Sequence, residues 1–156
     1  MSGIYIHIPY CKQACHYCNF YFSTSLKNKN EVINAMLKEI KIKSKTLNEI
    51  VQTIYFGGGT PSLLETDEIN CLINMVCENF KISSDLEITL EANPDDLTIS
   101  KLKKLAKSKI NRLSIGVQSF LDHDLKIMNR AHNSKVSKTC IAVSYTHLTL
   151  PTMVQV

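Results

Sequence analysis

The sequence predicts an α/β fold built on a parallel sheet, and three observations predict it. β-favouring runs begin near residues 4, 53, 86 and 112, and the later ones are each followed by apolar residues at helical spacing. Strands that alternate with helices give right-handed βαβ units and hence a parallel sheet. Every unusual group of residues also falls just after a strand, where parallel α/β folds place their ligand-binding face. The 156 residues contain no low-complexity linker, so about four βα units of one domain are expected.

In chain order, the first run is Ile4-Tyr5-Ile6-His7-Ile8, closed by Pro9, which has no N–H to give a ladder. Cys11, Cys15 and Cys18 follow at C-x3-C-x2-C spacing. Glu31 to Lys45 reads as a helix, with Val32, Ile33, Met36, Leu37 and Ile40 on one face and Lys38, Lys41 and Lys45 elsewhere. Thr53-Ile54-Tyr55-Phe56 is the second strand, ending in Gly57-Gly58-Gly59-Thr60-Pro61-Ser62. Thr66 is the expected N-cap of a second helix, and Asp67 and Glu68 suit the positive end of its dipole. Its apolar stripe is Ile69, Leu72, Ile73, Val76 and Phe80. Leu86 to Glu91 alternates as the third strand and stops at Asn93-Pro94. Thr98 caps a helix whose expected buried face is Ile99, Leu102, Leu105 and Ala106. Arg112 to Val117 is the fourth strand, followed by a helix from Asp122 to Met128.

Composition bounds the class. Hydrophobic residues make up 44% and charged residues 21%, values of an ordinary globular protein. No apolar run approaches the roughly 18 residues that span a bilayer. The N-terminus lacks a basic n-region and a long h-region, which predicts no secretory signal and a cytoplasmic address. The formal charge is +4, from 18 basic and 14 acidic side chains. Sixteen of the basic residues are Lys, mostly on helical stretches, as a solvated helix face requires. A nucleic-acid partner is not expected, since such a stripe carries more Arg and interleaved aromatics.

Chemistry concentrates at the strand ends. Cys71, Cys77 and Cys140 are scattered through helix-like segments and read as small hydrophobes. Cys11, Cys15 and Cys18 are clustered, which in a cytosolic setting points to metal rather than disulfides. Zinc is one reading, with His7 or His16 as fourth ligand. Zinc motifs usually come as two separated pairs, however, and no second pair follows. Three cysteines without a fourth suit an iron–sulfur cube with one iron left open. Gly57-Gly58-Gly59 is neither a Walker loop nor a G-x-G-x-x-G fingerprint, but its bare backbone can approach a ligand closely. Glu91 and Gln118 end their strands just before breaks. Arg130 is one of only two Arg in the chain, and its planar fork suits carboxylate or hydroxyl recognition. His7, His16 and His132 each read more simply as hydrogen-bonded structural residues.

C-x3-C-x2-C after Tyr5-Ile6-His7-Ile8-Pro9-Tyr10 resembles the radical S-adenosylmethionine superfamily. The branch is that of oxygen-independent coproporphyrinogen III oxidase and the heme chaperone HemW. The likeness runs over roughly residues 3–135. It takes in Gly57 to Ser62, Glu91-Ala92-Asn93-Pro94, Ser114 to Phe120 and Asn129-Arg130-Ala131-His132. It implies a partial TIM-like (βα) barrel of the radical SAM type. It further implies a [4Fe-4S] cluster on Cys11, Cys15 and Cys18, with S-adenosylmethionine on the open iron. Gly58, Gly59 and Thr60 would meet the methionine end of that cofactor, and Tyr5, Tyr17, Glu91, Gln118 and Arg130 the rest of it. Within the branch the oxidases continue to a fourth cysteine two residues after the third. Here Asn19 and Phe20 follow Cys18, the pattern of the chaperone-like members. The resemblance therefore implies heme as cargo, heme-requiring respiratory enzymes as partners, and a peripheral membrane contact. Read as an enzyme, the chain would be an oxidoreductase of the coproporphyrinogen dehydrogenase type.

The likeness fades after about Lys138. Residues 1–142 are expected to form the N-terminal part of the core domain. Residues 143–156, from Val143 through Tyr145, Thr146 and Pro151, are β-leaning and unlike the family. They look like translated library or vector sequence, or a frameshift, rather than a barrel strand. A sheet of about four strands would keep an open edge.

Overall fold

Alternation within the strands decides which side of the sheet is dry. In the computed structural model, which describes residues 2–147 and 152–155, β1 (Ser2–Ile8), β2 (Val51–Gly58), β3 (Ile82–Ala92) and β4 (Arg112–Gly116) lie side by side in chain order, all parallel. Tyr5 is in register with Tyr55, Tyr55 with Thr89, and Thr89 with Arg112. Ile6, Phe56, Leu90 and Leu113 form the neighbouring row. Because successive side chains face opposite sides, one face is aliphatic and the other carries tyrosines, Glu87, Thr89, Glu91, Arg112 and Ser114.

The aliphatic face is covered by the helices. α1 (Lys29–Lys43), α2 (Thr66–Asn79) and α3 (Ile99–Leu105) contribute Ile33, Ile40, Leu72, Ile73, Val76, Leu102 and Leu105 to the same core as Ile54, Phe56, Ile88, Leu90, Leu113 and Ile115. The expected stripe of α2 is buried except at Phe80, which is half-buried. On α3 only Leu102 and Leu105 are buried; Ile99 and Ala106 are exposed. Seven residues make two turns, too short to lay four positions against the sheet.

The helix ends show how local chemistry sets boundaries. Thr98 Oγ1 accepts the Lys101 amide at 3.2 Å, as a capping threonine should. Thr66 does not cap: it is the first helical residue, and Glu65 stands at the cap with its amide bonded to Glu68 Oε2 at 2.7 Å. α4 (Asp122–Ile127) ends with Asn129 at φ 56°. The Asn129 amide bonds the Lys126 carbonyl and the Arg130 amide the Leu125 carbonyl, the paired bonds of a Schellman ending.

Two elements lie beyond the four predicted units. α5 (Ser134–His147) packs against α3 and the turn at Pro94–Asp96, burying Cys140. β5 (Thr152–Gln155) adds to β4 in parallel, Ile115 opposite Val154. The sequence places residues 143–156 outside the barrel pattern; of these, residues 143–147 are the last of α5 and residues 152–155 are this strand. The sheet stays open, with β1 and β5 as its edges, the partial barrel expected. No helix among the described residues is long and apolar enough to cross a membrane.

Ile54 is fully buried at the middle of β2, between Ile4 and Ile88. Ile54→Ala should lower unfolding free energy by about 2–5 kcal/mol, the range for emptying a close-packed core position. Urea denaturation followed by circular dichroism measures it.

Candidate functional site

Each strand end hands its loop to one cavity. The space holds about 320 Å³ and is lined by Tyr5 and His7 of β1, the three cysteines, Gly58, Gly59 and Thr60 after β2, Glu91 and Asn93 at the end of β3, and Gln118 and Arg130 after β4. All eleven residues singled out for cluster or cofactor contact are on its wall. The polar face of the sheet opens into it, which is why Tyr5 and Glu91 reach it while Ile6 and Leu90 are buried in the core.

The cysteine loop is tied down from several sides. The Cys11 amide bonds the Ser23 carbonyl at 3.0 Å, and the Cys18 amide the Cys15 carbonyl at 3.1 Å. The Thr60 hydroxyl donates to Cys11 Sγ at 3.4 Å, and Arg130 Nη1 donates to Cys15 Sγ at 3.4 Å. Gln13 Nε2 donates to the carbonyl and side-chain oxygens of Asn129, whose own amide donates to the Ala14 carbonyl at 2.8 Å. His16 donates through its backbone to Met128 O (3.1 Å) and through Nδ1 to Ile127 O (2.9 Å). His16 thus closes the end of α4 and does not line the cavity. Burial pushes the Cys11 thiol up, against the lowering effect of the Thr60 hydrogen bond.

Glycine is required at two positions. Gly58 has φ +113°, and a Cβ there would stand 2.7 Å from the His7 ring. A Cβ on Gly59 would meet the Tyr10 carbonyl at 2.6 Å and Cys11 Sγ at 3.0 Å. Instead the Gly59 and Thr60 amides bond the Ile8 and Tyr10 carbonyls at 2.8 and 2.7 Å, which seals the glycine loop against the cysteine loop.

Arg130 joins three loops. Besides Cys15, Nη1 reaches the Tyr17 hydroxyl at 3.2 Å, while Nη2 donates to Asn93 Oδ1 and the Gly116 carbonyl, both at 2.8 Å. Asn93 passes the link to Thr60 Oγ1 at 3.3 Å. Gln118 sits at φ 68°, a sparsely populated conformation for a residue with a side chain. Tyr55 donates to Glu91 Oε1 at 2.6 Å and stacks on Tyr5 at 6.2 Å. Burial and Glu91 push the Tyr55 hydroxyl up to about 12, so it stays a donor. Asn93 and Tyr55 escaped the sequence reading. Asn93 stood beside Glu91 as a strand break; Tyr55 lies inside a strand and carried no signal.

The donor set fits a cluster. All six cysteines are free, and Cys11, Cys15 and Cys18 are half-buried on one wall. Among the described residues no three His, Cys, Asp or Glu converge on a single-ion position. Thiolates are the usual ligands of an iron–sulfur cluster.

The model of the Radical SAM superfamily matches residues 5–144. The chain belongs to this superfamily. It is 45% identical over 139 residues to the heme chaperone HemW of Bacillus subtilis, covering 86% of this chain and 36% of that protein. It is 36% identical over 140 residues to the heme chaperone HemW of Escherichia coli, covering 87% and 37%. Coproporphyrinogen III oxidase (HemN) from Escherichia coli, described as a radical SAM enzyme, superposes with a TM-score of 0.88 at 26% identity, over 97% of this chain and 36% of that one. The chain thus spans a little over a third of these relatives' length. Membership implies a [4Fe-4S] cluster and S-adenosylmethionine, which the free thiols and the glycine-lined wall accommodate.

Two predictions follow from the geometry. Gly58→Ala should lower stability by about 1–3 kcal/mol, the cost of holding a side chain in such a conformation, plus the His7 collision; thermal unfolding reads it. His132 donates Nε2 to the Val117 carbonyl at 3.1 Å, and its buried Nδ1 has no hydrogen-bond partner among the described residues. Burial pushes its pKa below the ordinary histidine value. The unfolded chain then binds the proton more readily, so His132 favours folding above about pH 6.5 and loses that contribution as pH falls through the folded value. The urea midpoint should fall between about pH 7.5 and about pH 5.5, less steeply in His132→Gln.

Proposed function

We propose that the chain is part of a HemW-type heme chaperone that binds a [4Fe-4S] cluster and S-adenosylmethionine and delivers heme to respiratory-chain enzymes. Cys11, Cys15 and Cys18 would hold the cluster. Gly58, Gly59 and Thr60 would take the methionine end of S-adenosylmethionine, and Tyr5, Tyr17, Glu91, Gln118 and Arg130 the remainder. The family match ends at residue 144, which supports assigning 1–142 to the N-terminal part of the core domain. A cytoplasmic setting and peripheral membrane contact go with this reading.

The observation that carries it is Phe20. It lines the cavity three-quarters exposed, where the oxidase pattern puts a fourth cysteine. An aromatic ring there offers a flat apolar surface beside the thiols and no further ligand.

The residues divide the work. Glu91, oriented by Tyr55, offers an acceptor suited to ribose hydroxyls. Arg130 offers cationic donors beside Cys15 and Tyr17. Gly59 brings its backbone close to Cys11, with no side chain in the way. A cluster held by Cys11, Cys15 and Cys18 would supply electron transfer to the sulfonium; the protein orients and shields.

The likeness in fold to coproporphyrinogen III oxidase favours a second reading, oxidative decarboxylation of the porphyrinogen propionates. One experiment separates them. The anaerobically reconstituted chain should carry about four irons and four sulfides, develop a Soret band on titration with heme, and leave coproporphyrinogen III unchanged. Turnover to protoporphyrinogen IX would establish the oxidase, and a colourless protein with stoichiometric zinc would replace both readings with a zinc-stabilised binding module.

A further inference from the structure

Behind the cavity, out of reach of anything bound in it, four polar side chains connect three strand-end loops. Ser62 is fully buried, and its hydroxyl donates to Asp96 Oδ2 at 2.6 Å. Ser62 Oγ in turn accepts the Asn93 backbone amide at 3.1 Å. Lys12, the residue after the first cysteine, pairs with Asp96 Oδ1 and with Asp95 Oδ2 at 2.9 Å. Lys101 Nζ donates to the Ser62 carbonyl and, at 2.8 Å, to the Leu64 carbonyl. None of the four lines the cavity. They join the cysteine loop after β1, the turn at Pro61–Leu63 after β2, and the turn at Pro94–Asp96 after β3.

We infer that Ser62, Asp96, Lys12 and Lys101 are positioning residues that set the register of the cysteine loop against the glycine loop. The inference rests on the cluster reading above.

The physical case is one of placement. A side chain of Asp96 only 3% exposed is costly unless every lone pair is used; here one oxygen takes the Ser62 hydroxyl and the other the Lys12 ammonium. That requirement fixes Lys12, and so the neighbouring Cys11, relative to Asn93, whose backbone is held by the same hydroxyl. Asn93 in turn holds Thr60 Oγ1 and Arg130 Nη2, the two groups that direct donors at Cys11 and Cys15. Lys101 holds the carbonyl ends of the turn that leaves the glycine loop, where a cation is favoured. Both sulfur hydrogen bonds therefore depend on groups outside the cavity. Hydrogen bonds to cluster sulfurs tune its potential, so this network should be felt electronically as well as sterically.

Ser62→Ala, Ser62→Thr and Lys12→Met test it. In the reconstituted chain Ser62→Ala should weaken S-adenosylmethionine binding about tenfold, the effect of one orphaned buried partner, and shift the cluster midpoint potential measured by EPR-monitored titration. Ser62→Thr keeps the hydroxyl and should restore both. Lys12→Met, at the exposed end of the network, should shift the potential even if Ser62→Ala does not fold. Wild-type affinity and potential in Ser62→Ala and Lys12→Met would overturn the inference, as would equal losses in the Ala and Thr variants. If the wild-type chain takes up no iron and sulfide, the cluster reading fails first. Alkylation of Cys11 in the metal-free protein, scored against exposed Cys71, then decides. Several-fold faster labelling in the folded variants supports the network, and unchanged labelling overturns it.

Discussion

The guanidinium of Arg130 is the constraint on which the rest of the site depends. One planar fork donates to Cys15 Sγ, the Tyr17 hydroxyl, Asn93 Oδ1 and the Gly116 carbonyl, so it touches the cysteine loop and the ends of β3 and β4 at once. A lysine ammonium is a compact charge on a flexible stem and cannot span these directions. The fork is itself delivered by a fixed backbone. The Schellman ending of α4 turns the chain at Asn129 and aims the next residue inward. The Asn129 side chain donates to the Ala14 carbonyl and accepts from Gln13, so the same turn that presents Arg130 also holds the loop it must meet.

Sheet pleating supplies the other half of the logic. The row Ile6, Phe56, Leu90 and Leu113 and the row Tyr5, Tyr55, Thr89 and Arg112 are one residue apart in every strand. Slipping β1 or β2 by one position would put tyrosines under the helices and aliphatic side chains in the cavity. Core and site are therefore specified together. The core cannot be dry unless Glu91 and Tyr5 face the cavity, and hydrophobic burial becomes the force that orients the functional residues.

This coupling explains how much could be read in the sequence. The strands were legible because isoleucine and leucine alternate with polar residues, and the site was legible because its members sit at strand ends. The glycine loop, Glu91, Gln118 and Arg130 could be located without coordinates. What could not be read is contact across sequence distance. Tyr55 looked like an ordinary strand residue, yet its hydroxyl reaches across to Glu91 on the next strand. Gln13 and Asn129 are 116 residues apart, and no local pattern pairs them. Thr66 was read as a cap from residue type, yet the helix begins one residue earlier because Glu68 reaches back to the Glu65 amide. Ile99 and Ala106 were placed inside by periodicity alone, which does not say how many turns the neighbouring elements can cover. α5 offered only a weak stripe and gained its place from packing on α3.

The wall of the cavity and its cover are different problems. Its polar wall is nearly closed on itself: sulfur, hydroxyl, amide and guanidinium groups are bonded before any ligand is added, which is the preorganisation that electrostatic catalysis or tight cofactor binding needs. Its rim is apolar and wet. Tyr5, Tyr17 and Phe20 are each half or more exposed, and one open edge of the sheet lies at β1, the strand that carries Tyr5. Exposed aromatics in this number are costly in water unless something flat or apolar covers them. A bound planar ligand and a further stretch of protein would both do so. The two differ in consequence: protein over the rim shields a reactive cofactor from water, whereas a ligand over the rim is itself held beside the thiols.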